Sequence, residues 1–173
     1  MADSLFSHKQ EKDDRFQTLL NNAHAATVIS QIVEGTIGPK GLDIMMVDPF
    51  ADLVITNDGV TILKLMDVSH PAARMIINAA RAQQDEVGDG TTTATIMAAA
   101  LVAEGAAQVL KGVPVSRVID GIEIGIKEAL HLIKEQSRKI NIDQKKQLHD
   151  IASIAGRGQQ ELAQLVVEGA AML

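Results

Sequence analysis

The chain has 173 residues, a formal net charge of −6 and no cysteine. No Lys/Arg block is present to neutralise a phosphate backbone, which argues against nucleic acid as a partner, and without thiols there is neither a disulfide framework nor a thiolate metal site. Apolar residues make up 46% of the chain but aromatics only 2%, so the core of one expected domain must be built from Ala, Ile, Leu, Val and Met, which suits closely packed helices.

From Glu11 to Glu34 the positions Phe16, Leu19, Leu20, Ala23, Ala26 and Thr27 recur at helical spacing and Gly35 closes the pattern, predicting one long helix. Residues 43–48 and 53–57 are short apolar runs separated by Pro49-Phe50-Ala51-Asp52, which predicts a β-hairpin. Helices are predicted at about 60–66, 71–86, 91–111 and 115–136. Pro71 and Pro114 stand where a first helical turn would begin. The helix over 115–136 shows the clearest pattern, with Val115, Val118, Ile119, Ile122, Ile126, Leu130 and Ile133 on one face and Arg117, Asp120, Glu123, Lys127 and Lys134 opposite. A polar stretch, KEQSRKINIDQKKQ, then interrupts the rhythm and is the candidate domain boundary. Two further helices, at about 144–155 and 159–172, flank Gly156-Arg157-Gly158. The ending VVEGAAML stops in mid-pattern, so the last helix reads as cut rather than completed.

The five histidines, His8, His24, His70, His131 and His149, show no paired ligand spacing and are expected to be solvated or singly hydrogen-bonded. The amino-terminal stretch MADSLFSHKQEKDDRF has neither the basic nor the apolar region of a signal peptide. The longest apolar run, residues 94–103 with Thr95 among them, falls short of the roughly 18 residues of a membrane span. The expected location is therefore the cytoplasm, with no membrane partner.

Three segments could carry chemistry. In EVGDGTTTATIMAAA, residues Gly88 to Thr95 feed an apolar helix, whose first N–H groups and positive dipole end attract anions while the glycines allow close approach of a phosphate. Thr91, Thr92, Thr93 and Thr95 lower helix propensity, which ligand contacts would explain. Alternatively, Asp89 or Thr91 caps the helix and the remaining hydroxyls bond back to carbonyls one turn away, and on these residues alone the two accounts stand level. TNDGVTI puts Asn57 and Asp58 just after a strand and before a helix, although Asn-Asp-Gly is also an ordinary turn signal. GTIGPKGLD spaces Gly35, Gly38 and Gly41 by three around Pro39. It reads as a C-cap and turn, or as a third loop of a site, and its spacing is not that of a P-loop. If the loops converge, two carboxylates, a hydroxyl cluster and a glycine-lined backbone meet, a set able to bind Mg²⁺-polyphosphate.

In this order, TIGPKGLDIMMVD, ITNDGVTILKLMDVSHPAARMI, DEVGDGTTTAT and GVPVSRVIDGI resemble the amino-terminal part of a chaperonin subunit, almost without a gap from Thr36 to Ile122. HPAARM and DEVGDGTT are more similar to the archaeal and eukaryotic cytosolic type (group II, thermosome-like), or to a divergent bacterial relative of it, than to the usual bacterial type. The resemblance implies a mainly α fold with a small β-hairpin (α+β): residues 1–140 as the first half of the ATP-binding equatorial domain, and 141–173 as the start of the intermediate domain. It also implies an ATPase with ATP and Mg²⁺ as cofactors, working in a double ring of chaperonin subunits on unfolded protein clients.

By that resemblance Asp89 would hold Mg²⁺, Gly88, Gly90, Thr91, Thr92 and Thr93 would lie at the phosphates, and Thr36, Ile37, Gly38, Pro39 and Asn57 would line the nucleotide. Asp58 would be the catalytic acid that orients the attacking water. ASIAGRGQQ resembles a nucleotide-sensing loop, with Arg157 where many members have Lys, a difference in reach and donor geometry. Family members are much longer, and their other catalytic aspartate lies beyond residue 173. The expected chain is thus part of a longer protein; the second reading is a truncated relative that binds nucleotide or ring neighbours without turnover. An unrelated phosphotransferase would need a parallel sheet and a P-loop or Rossmann fingerprint, and the sequence has neither.

Overall fold

The structure is a computed structural model that describes residues 2–38, 40–48, 50–156 and 158–172, with side chains from residue 14 onward. Helix α1 (Ala2–Glu34) starts well before the apolar pattern that predicts it. Its buried line is Ala23, Ala26, Ile29, Ser30 and Val33, residues three or four apart. Leu20, expected on that face, is 41% exposed, because each residue turns the helix by about 100° and Leu20 stands one step off the row through Leu19 and Ala23. Thr27 is half-buried and donates its hydroxyl to the Ala23 carbonyl at 2.9 Å.

Strands β1 (Ile44–Val47) and β2 (Leu53–Thr56) pair antiparallel, with Ile44 opposite Thr56 and Val47 opposite Leu53. Asp48 makes the turn: its Oδ1 accepts from the N–H groups of Phe50 and Asp52, each at 2.8 Å. Ile44 and Met46 face the core, while Met45, Val47, Leu53 and Ile55 form an exposed apolar row on the other side.

Helices α2 (Gly59–Leu65), α3 (Pro71–Val87) and α4 (Thr91–Leu110) then pack with α1. Their shared core is Ala26, Ile29, Val33, Ile62, Leu63, Ala73, Ile76, Ile77, Ala80 and Ala99. It is built from Ala, Ile, Leu and Val, with no aromatic ring among these described residues. Pro71 occupies the first turn of α3, behind a His70 cap whose Nδ1 accepts from Ala72 N–H at 3.2 Å. Helix α4 as a whole is long and apolar enough to cross a membrane by length and composition, which the shorter run at 94–103 does not show. It packs along α1 and α3 and buries Thr91, Thr95, Ala99 and Ala106.

Helix α5 (Val115–Gln136) begins one residue after Pro114, whose carbonyl accepts from the N–H groups of Arg117 and Val118. Val118 and Ile122 lean on Gly105 of α4, but α5 has no buried residue, and Ile119, Ile126, Leu130 and Ile133 are exposed. The chain divides into two compact units, Met1–Ile124 and Gly125–Leu173. In the second, α6 (Lys145–Ala155) and α7 (Gln160–Ala170) pack together, with Ala163 and Val167 buried. The architecture is mainly α with one small hairpin. Ile62 is fully enclosed at 0% exposure, so Ile62→Ala should destabilise the first unit by about 2–5 kcal/mol, read as a lower chemical-denaturation midpoint.

Candidate functional site

The turn between α3 and α4 is built by two glycines of left-handed conformation around one acid. Gly88 (φ 80°) ends α3 and donates its N–H to Gln84 O at 3.0 Å, and Gly90 (φ 79°) precedes α4. Asp89 is exposed; its Oδ1 accepts from Gly90 N–H at 2.6 Å and its carbonyl from Gln83 Nε2 at 2.9 Å. Neither Asp89 nor Thr91 caps α4, whose amino terminus has no side-chain cap, whereas α2 and α3 are capped by Asp58 and His70. The first intrahelical bond runs from Ala94 N–H to Gly90 O at 2.9 Å, so the amides of Thr91, Thr92 and Thr93 lie outside the helical ladder at its positive end. Such a terminus accepts an anion.

The four threonines divide by burial. Thr95 is fully buried and its hydroxyl bonds back to Thr91 O at 2.9 Å, as the purely structural account expects. Thr91 is also buried. Thr93 is exposed, and Thr92 lies between these extremes.

Thr92 is where the three segments meet. Its Oγ1 lies 3.5 Å from Oγ1 of Thr36, and Thr36, buried, donates to Val33 O at 2.8 Å. The first residue of α2, Gly59, sits so close that a Cβ there would fall 2.4 Å from Thr92 Oγ1. The loop after α1 closes on itself through Leu42 N–H to Gly35 O, 2.9 Å, and Gly41 N–H to Gly38 O, 3.0 Å. Gly38 holds φ 85° and Ile37 is half exposed. Pro39 and Arg157 lie outside the described residues.

Asp58 forms the helix start that the ordinary turn account of its motif expects. Its Oδ2 accepts from Thr61 N–H at 3.0 Å and from the Thr61 hydroxyl, so it caps α2. Neighbouring Asn57 donates Nδ2 to Asp43 Oδ1 at 2.7 Å, tying the hairpin's exit to its entrance. Gly41 and Gly59 make close approaches that sequence reasoning does not assign: the sequence offers only the regular spacing of Gly35, Gly38 and Gly41 and the Asn-Asp-Gly turn signal.

Among the described residues no group of three or more His, Cys, Asp or Glu could hold a metal by itself. Mg²⁺ keeps several waters and takes one or two carboxylates together with phosphate oxygens. An exposed Asp89 beside an uncapped helix terminus therefore fits a cation that arrives with a polyphosphate, and does not fit a cage made of protein alone.

Comparison with known proteins converges on one family. Residues 29–173 match the TCP-1/cpn60 chaperonin family. A thermosome subunit of Methanothermococcus thermolithotrophicus is 42% identical over 153 residues, 85% of this chain and 28% of the relative. Thermosome subunit beta of Thermoplasma acidophilum is 45% identical over 124 residues, 72% of this chain and 23% of the relative. The crystal structure of a group III chaperonin in the open state aligns with a TM-score of 0.81 and 52% identity, over 91% of this chain and 32% of that one. The chain thus spans about a third or less of the length of these relatives. With the helical architecture, the single antiparallel hairpin and the glycine-framed turn before α4, these matches show that the chain belongs to the TCP-1/cpn60 chaperonin family and corresponds to the amino-terminal portion of its equatorial domain.

Proposed function

We propose that this chain supplies the phosphate and magnesium half of an ATP site in a chaperone subunit, whose ATP hydrolysis drives conformational changes of a ring that folds non-native proteins. The observation that carries the reading is the meeting of three segments at Thr92, beside a helix terminus that has donors but no cap. The amides of Thr91, Thr92 and Thr93 receive phosphate oxygens, and Gly88 and Gly90 keep the approach free of side chains. Asp89 holds Mg²⁺ against those oxygens. Bound there, the ion neutralises charge on the polyphosphate and fixes its orientation.

Asp58 uses one carboxylate oxygen to cap α2, and its other oxygen orients the attacking water. The loop of Thr36, Ile37, Gly38 and Pro39 lies along the nucleotide with Asn57, and Arg157 senses its state. Residues to about 140 belong to the equatorial domain and those from about 141 to the intermediate domain, a boundary taken from the break in apolar periodicity. Other chaperonin subunits and unfolded clients are the partners, in the cytoplasm.

The site is tested by calorimetric titration of the 173-residue chain with ATP, with and without Mg²⁺, beside an assay of phosphate release. Mg²⁺-dependent binding with turnover at background is expected, since a second acid completes catalysis in the family. Absence of binding in both conditions would remove the site, and sustained turnover would remove the need for that acid.

A further inference from the structure

Gly59 has no conformational reason to be glycine. It does not carry a positive φ, it opens helix α2 where most residues are accepted, and in helical structure glycine is disfavoured by about 1 kcal/mol relative to Ala. What demands it is space. The three nearest atoms that a Cβ at this position would meet all belong to Thr92: Oγ1 at 2.4 Å, and Cα and N at 3.2 Å each. The first is a collision that bends only by turning the Thr92 side chain away from Thr36. The other two are tighter than ordinary contact and are relieved by a shift of a few tenths of an ångström, so the hydroxyl is the main obstacle.

We infer that Gly59 is a positioning residue for the nucleotide phosphates, acting through Thr92; this rests on the reading of the site given above. With no side chain at 59, the first turns of α2 and α4 touch. That contact fixes the Thr92 amide in line with its neighbours and holds Asp58, the preceding residue, beside the phosphate end. A single methyl group there displaces a donor, breaks the hydroxyl pair of Thr36 and Thr92, and moves Asp58 away from α4. Glycine at 59 is therefore a distance gauge between the acid and the amides, a function separate from the turn-forming role that Asn-Asp-Gly suggests in sequence.

The test is a double-mutant cycle on the 173-residue chain, with calorimetric Mg-ATP affinity and the ligand-free unfolding midpoint measured for Gly59→Ala, Thr92→Ala and the pair. Gly59→Ala is expected to weaken Mg-ATP binding by about tenfold or more, the scale on which sub-ångström misplacement acts. In the Thr92→Ala background, where Oγ1 is gone, the same change is expected to alter affinity by less than about twofold, a non-additivity diagnostic of contact. If Gly59→Ala alone fails to fold, recovery of folding and of Thr92→Ala-level affinity in the pair sustains the inference. It is overturned if Gly59→Ala binds like the parent, if its effect is as large with Ala at 92, or if both the single and the double variant fail to fold. A parent chain that binds no Mg-ATP overturns the site as well as the inference, whereas a binding parent with an indifferent Gly59→Ala overturns the inference alone.

Discussion

Asp89→Asn should lower Mg²⁺-dependent ATP affinity by at least roughly 10–100-fold, the range seen when only a hydrogen-bond partner of a metal ligand is lost, while the unfolding midpoint stays where it is. Asn keeps an acceptor for the Gly90 N–H that Asp89 Oδ1 now receives at 2.6 Å, so the turn between α3 and α4 keeps its shape. What disappears is the charge. Asp89→Ala removes both, and should match Asp89→Asn in affinity while losing a little stability besides, since a hydrogen bond to a charged group contributes about 1.5–3 kcal/mol when sheltered and less when exposed as here. Titrations in Mg²⁺ and in a chelator separate the effects: the advantage of Mg²⁺ should collapse in both variants. Parent-like Mg-ATP affinity in Asp89→Asn would show that the ion is held elsewhere.

Gly41→Ala should be the most damaging single methyl group in the loop after α1. A Cβ there would sit 2.1 Å from Thr36 O and 2.6 Å from Thr36 C, both backbone atoms that have no rotamer to escape into. Overpacking of this kind costs about 1–3 kcal/mol. The displaced residue is Thr36, so its hydroxyl contact with Thr92 is lost together with the bond from Gly41 N–H to Gly38 O. A lower unfolding midpoint and weaker Mg-ATP binding are expected together. Gly35→Ala is the matched control: it has open space around the added Cβ and no positive φ, and should be neutral or stabilising by about 0.4–1 kcal/mol. Equal midpoints for the two variants would refute the close approach.

The helices could be read from the chain because each leaves a local mark: Pro71 at the first turn of α3, glycines after α1 and α3, and apolar residues three or four apart in α5. The start of α1 could not, since helicity extends to Ala2 without the periodic apolar pattern that marks its later turns. Periodicity in α5 reveals that one face is apolar but is silent on what covers it, and Ile119, Leu130 and Ile133 remain exposed. The candidate site was legible as three suspicious loops and as a family resemblance. Their meeting was not, because Thr36 and Thr92 are 56 positions apart, and contacts at that separation follow from helix packing rather than from local rules. Gly59 was hidden for a different reason: in sequence a glycine that makes room looks the same as a glycine that makes a turn.

Positions 88 and 90 have a further property, which concerns mutation rather than binding. Both hold φ near +80°, a region that imposes about 1–2 kcal/mol on residues with a Cβ, with Asn and Asp as the usual exceptions. Every amino-acid replacement of glycine introduces a Cβ, and of the two exceptions Asn cannot be reached from a glycine codon by one base change whereas Asp can. The turn that frames Asp89 therefore drifts without strain mainly through Asp, which would set a second acid beside the first, while Asp85 and Glu86, exposed near the end of α3, are under no such restriction. Its shape is recorded in the two places where atoms are missing.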